Sequence, residues 1–126
     1  MKRAALAFAA GLVVWLLLIS LLDRALRLAL AGYADAELTM SFTLGMLVSR
    51  LIIAALASLI AGAIAAWIAP ASGPVPLLLG LTLLVAFLPV HLRLWSQFPL
   101  WYHVVFLGTL VPLIVLGSRL LRLERR

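Results

Sequence analysis

The sequence predicts an all-α fold: an integral membrane bundle of four transmembrane helices, with helices 1 and 2 extended on the outer side. Three observations predict it. Of the 126 residues, 67% are apolar and 11% charged, whereas soluble domains run near half apolar and a quarter charged. A chain this short has too little interior to hide the excess, so the bilayer is the remaining solvent for it. Four apolar runs each approach the ~20 residues a helix needs to cross ~30 Å of hydrocarbon. The spans are helices because open strands would leave backbone groups unpaired in lipid. Residues 1–126 form one domain, with no room for a separate catalytic unit.

The first run, Ala4 to Leu22, carries no charge. Its basic start, MKRAALAFAAGLVVW, has the look of a signal peptide. The apolar run exceeds the usual ~7–15 residues and no small-x-small site directly follows Leu22, so an uncleaved first span is expected. The chain continues as DRALRLALAG. Asp23 and Arg27 stand one helical turn apart, and Gly32 is a natural stop. The segment SFTLGMLVSR then enters the second span, residues 51–69, without a breaker, so that helix is expected to begin near residue 41. The two extensions are expected to make a partly polar layer at the outer leaflet, as upright helix or as a shallow interfacial one.

The second span places Ala54, Ser58, Gly62 and Ala66 four residues apart, with Ala57, Ala61 and Ala65 in a row beside them. Small residues at this spacing let helices approach closely where no hydrophobic drive operates. The second helix is therefore expected at the centre of the bundle with the first, through Ala7 and Gly11, against it. The same ridge alternatively serves a homodimer or a partner protein. A short uncharged turn, PASGPVP, leads to the third span at 75–94, and Ser-Gln-Phe-Pro leads to the fourth at 100–118. Pro89 and Pro112 each remove a backbone donor inside a span and favour a kink. Ordinary packing explains such prolines, and so does a water-lined path.

Basic residues set the orientation. With both termini cytoplasmic, Lys2, Arg3, Arg119, Arg122, Arg125 and Arg126 lie inside. Arg24, Arg27, Arg50 and Arg93 then lie outside with Asp23, Asp35 and Glu37. A lipid-bilayer partner follows. The net charge of +6 resides beside the spans, where it reads as topology and headgroup contact, and nucleic-acid binding is not expected. The chain has no cysteine, which removes disulfides and thiolate chemistry.

Few polar residues remain as candidates. Arg50 falls on the small-residue ridge at the outer edge of the second span. A charge there must reach headgroups or find a partner, and Asp23, Asp35 and Glu37 are the acids on its side. His91 and His103 bracket HLRLWSQFPLWYH, an antiparallel outer hairpin flanked by the interfacial aromatics Trp95, Trp101 and Tyr102. Interfacial hydrogen bonding is the expected role of the two histidines. Ligation of haem or a metal, and proton handling, are the alternatives. No acid–base pair lies within a span and no nucleophile set or phosphate loop is apparent, so no enzyme, cofactor or metal site is expected.

The segments YADAELTMSFT, WSQFPLWYH and LVPLIVLGSRL together resemble small four-span inner-membrane proteins of proteobacteria, a likeness covering most of the chain that implies the fold and no activity. Four short spans are also similar in size to the small multidrug resistance transporters. That family's pattern has a glutamate in the first membrane helix, whereas Ala4 to Leu22 holds no acid. The expected function is a non-enzymatic accessory or interaction subunit working through helix–helix contacts. The alternatives are a homo-oligomeric small transporter or channel, and a haem- or quinone-binding module.

Overall fold

A computed structural model of the protein describes residues 2–69 and 73–124. Residues 70–72 of the expected turn, Arg125 and Arg126, and the side chain of Arg122 lie outside the described residues. The order of elements is α1 (Lys2–Ala29), α2 (Tyr33–Thr39), α3 (Leu44–Ile68), α4 (Val75–Arg93) and α5 (Leu100–Glu124). Among the described residues the chain is helical with no strand. The helices α1, α3, α4 and α5 are long and apolar enough to cross a membrane, and the chain is a small multi-pass membrane protein.

The first extension is continuous with its span. Helix α1 runs unbroken to Ala29, and Gly32 breaks it in the left-handed region at φ 80°, a conformation glycine adopts without steric cost. The second extension is shorter than expected. Helix α3 starts at Leu44 rather than near residue 41, because Thr43 caps it, its hydroxyl accepting the Met46 N–H at 3.3 Å. The chain before the cap is taken by α2, a separate seven-residue helix with no apolar run to mark it in the sequence. Met40 closes α2 in the left-handed region and turns the chain down towards α3.

Helix α3 packs against α1 on one side and α5 on the other, and α4 leans on α5. The small residues of α3 are divided between its neighbours. A Cβ at Gly62 would overlap the backbone carbonyl of Ile114, and one at Gly117 would overlap that of Leu59. The two glycines thus make a reciprocal backbone contact between α3 and α5. The neighbouring row faces α1, where a Cβ at Gly11 would stand 3.4 Å from the Ala61 carbonyl oxygen and 3.5 Å from the Ala65 side chain. In lipid such close approach supplies the dispersion and weak polar contacts that hold helices together.

Helix α1 buries only Ala7, Gly11 and Trp15, one residue per turn. Its Leu16, Leu17 and Leu21 face outward, as do Val85 and Leu88 of α4, giving the apolar exterior a bilayer requires. Pro89 and Pro112 are likewise exposed, so their rings face away from the bundle interior.

Candidate functional site

The polar side chains gather at the α2 end of the bundle. Tyr33 opens α2 and is fully buried, which directs its hydroxyl onto the end of α1. That hydroxyl donates to Asp23 Oδ1 at 2.6 Å and accepts from Arg50 Nη1 at 2.8 Å. Arg50 also reaches Asp23 directly at 3.5 Å, and its Nε donates to the Tyr102 hydroxyl of α5 at 3.1 Å. The Phe42 ring covers the guanidinium at 4.7 Å from its centroid, a cation–π contact that adds to the solvation the site provides. Arg50, in the second turn of a membrane helix, thus meets its demand for partners inside the protein.

Arg27 ties α2 to α1. Arg27 bonds Asp23 at 3.2 Å and forms a two-pronged pair with Glu37. The cluster therefore contains two arginines and two carboxylates, with no excess of either sign. Asp35, the third acid expected there, is exposed on α2 and forms no ion pair among the described residues. Burial, and the hydrogen bond it donates to Asp23, hold the Tyr33 hydroxyl above the ordinary tyrosine range, against the opposing influence of Arg50.

The two histidines meet face to edge. His91 Nδ1 and His103 Nδ1 are 2.7 Å apart, so one ring donates and the other accepts. His103 is fully buried beneath Trp95, stacked at 4.6 Å between centroids. Its Nε2 has no partner among the described residues. No group of three or more His, Asp or Glu side chains placed to hold a metal ion occurs among the described residues.

Between α1 and α4 the bundle is open. Tight contact at Gly11 and Leu79, and an edge-to-face pair of Trp15 and Phe87 at 5.0 Å, close the seam lower down. Above them lies a cavity of about 240 Å3. Trp15, Ile19, Phe87 and Phe106 line its apolar part, while Asp23, Arg50, His91 and Tyr102 line its polar end. Ser20 stands at its α1 wall with its hydroxyl spent on the Leu16 carbonyl at 2.8 Å. Deep in the wall, Trp15 Nε1 donates to the Ser58 hydroxyl at 3.0 Å.

Of the residues singled out in the sequence, Arg50, Asp23 and His91 share this cavity. Glu37 joins through Arg27, His103 stands behind His91, and Asp35 is apart. Ala54, Ser58, Gly62 and Ala66 are buried in α3, on the inside of the bundle. In the sequence Tyr33 carries no signal of its own and Tyr102 reads only as an interfacial aromatic. Both hydroxyls are partners of Arg50, and the one available signal was their location at the same end of the spans as an otherwise unaccompanied arginine. Comparison with known protein families, with curated proteins and with solved structures found no match.

Proposed function

We propose that this membrane protein is a non-enzymatic binding protein of the bacterial inner membrane, both termini cytoplasmic, that holds a membrane-borne amphiphile in the cavity between α1 and α4. The two-part lining of that cavity carries the reading. An apolar floor and walls meet a small set of convergent polar groups, the composition typical of small-molecule sites. Its seam lies between two membrane helices, so a ligand enters sideways from lipid with its head at the Arg50 end.

Binding rather than turnover is favoured by the charge pattern. Asp23 and Glu37 are each tied to an arginine, which fixes geometry and leaves neither carboxylate as an unpaired base. The cytoplasmic assignment of the termini rests on Lys2, Arg3 and Arg119, which lie at the opposite ends of their helices from the α2 cluster. An accessory role through the small-residue ridge has less support, because Gly62 is spent on α5 within the chain. A transport path through kinked helices has less support as well, since neither Pro89 nor Pro112 lines the cavity.

The test is organic extraction of the protein purified from its membrane in mild detergent, followed by mass spectrometry. The proposal expects one amphiphile in fixed molar ratio with the wild-type chain and its loss from Ser20→Trp, which fills the cavity from the α1 side. The same lipids in the same amounts from both proteins would overturn it.

A further inference from the structure

We infer that the head group this cavity takes is an uncharged, oxygenated aromatic ring of the quinone and quinol class. The inference rests on the amphiphile-binding reading above and narrows it. Charge is the first discriminator. Arg50 is already neutralised by Asp23 at 3.5 Å and its Nε and Nη1 are committed to two phenol oxygens. Arg27 is matched by Glu37. A carboxylate or phosphate head would bring a negative charge into a partly buried site that has no positive charge to spare, and burying an unpaired charge is costly.

Shape is the second. The rings of Phe87, Tyr102 and Phe106 line the cavity alongside Trp15. Phe87 and Phe106 stand 6.1 Å apart, and Tyr102 and Phe106 6.4 Å apart, between centroids. Flat aromatic walls favour a flat ring, through offset or edge contacts.

Unspent hydrogen-bonding groups are the third. The Tyr102 oxygen accepts from Arg50, while its own proton finds no acceptor among the described residues. The outer nitrogen of His91 is likewise uncommitted, since Nδ1 is used on His103. A quinone carbonyl accepts from Tyr102, and a quinol hydroxyl donates to His91 or accepts from it according to the tautomer. Either tautomer of the His91–His103 pair leaves His91 Nε2 able to bond a quinol hydroxyl, as acceptor or as donor, so the pair neither gains nor loses a proton. Both oxidation states of the ring thus find partners without a new charge being buried. The cavity's open seam then leads an alkyl or isoprenoid tail past Ile19 into lipid.

The experiment measures the unfolding midpoint of the full chain in nanodiscs with three probes of equal tail length: a decyl benzoquinone, decanoate and decylphosphocholine. The inference expects a saturable rise with the quinone alone. Tyr102→Phe should weaken that response roughly tenfold, the loss of about one hydrogen bond. Because Tyr102→Phe also removes a partner of Arg50, Ser20→Trp serves as a second variant that leaves the polar cluster intact and should abolish the response. Stabilisation by decanoate or decylphosphocholine and not by the quinone would overturn the inference and leave the amphiphile-binding reading standing. No response to any of the three would count against both. A quinone response unchanged in Ser20→Trp would also overturn the inference, since it would place binding outside the cavity.

Discussion

Tyr33 and Arg50 meet through a hydroxyl that serves both charges of the cluster: its oxygen accepts from Arg50 Nη1 at 2.8 Å and its proton goes to Asp23 at 2.6 Å. Without it the two ions face each other only at 3.5 Å. The tyrosine is contributed by α2, the ions by α1 and α3, so a single phenol joins three elements.

Replacing Tyr33 by Phe keeps the ring and removes this bridge. Hydrogen bonds to charged groups contribute about 1.5–3 kcal/mol each. Because Asp23 and Arg50 remain partly exposed, at 21% and 27%, the lower end of that range is expected. Unfolding by dodecyl sulfate, followed by circular dichroism, should show a loss of about 1.5 kcal/mol. An unchanged midpoint would mean that water replaces the hydroxyl without loss.

The same hydroxyl sets an alkaline limit. Its folded-state pKa is raised above the ordinary value of about 10, so the folded state holds this proton more tightly than the unfolded chain does. The stability from this source is fully present below about pH 10 and is lost as pH rises from there through the folded-state pKa. Stability measured between pH 8 and 11 should fall at the alkaline end in the wild type. In Tyr33→Phe that fall should be shallower.

Gly62 is the tightest point between α3 and α5. A side chain there would strike the Ile114 backbone, which unlike a side-chain tip has nowhere to go. Overpacking of this kind costs typically about 1–3 kcal/mol. Gly62→Ala should reach the top of that range, and Gly62→Leu should fail to assemble. Gly108→Ala is the control, because a Cβ there meets nothing within 4 Å. It should be neutral, or gain up to about 1 kcal/mol from better helix propensity.

Trp15 and Ser58 are 43 positions apart in sequence and joined at 3.0 Å in the core. Polar pairs between membrane helices contribute about 0.6 kcal/mol on average and up to about 1.7. This pair is fully buried, and a double-mutant cycle with Trp15→Phe and Ser58→Ala should give a coupling in the upper half of that range. Zero coupling would show that Ser58, already bonded to the Ala54 carbonyl at 2.7 Å, gains nothing from the indole.

What the sequence made legible was local. Uninterrupted apolar runs located the four spans, Gly32 marked the end of α1, and the i, i+4 spacing of Asp23 and Arg27 became a salt bridge at 3.2 Å. The short helix α2 was not legible, because seven residues of YADAELT carry too little periodicity to stand apart from loop. The site was half legible. Arg50 required partners on energetic grounds alone, and the outer acids were the natural candidates. Its strongest geometric partner within the spans is Tyr102, 52 positions away, and nothing local in either segment specifies that meeting. The cavity was not legible at all, since it is a gap between α1 and α4 that only the packing of the other pairs creates.

Occupancy of this cavity in the membrane is read from the unfolding free energy before and after exhaustive delipidation, in wild type and Ser20→Trp. A ligand present at 100 times its dissociation constant stabilises by about 2.7 kcal/mol, and delipidation should remove that amount from the wild type beyond whatever it removes from the variant, whose cavity is filled by its own side chain. Equal losses in the two proteins would contradict that occupancy.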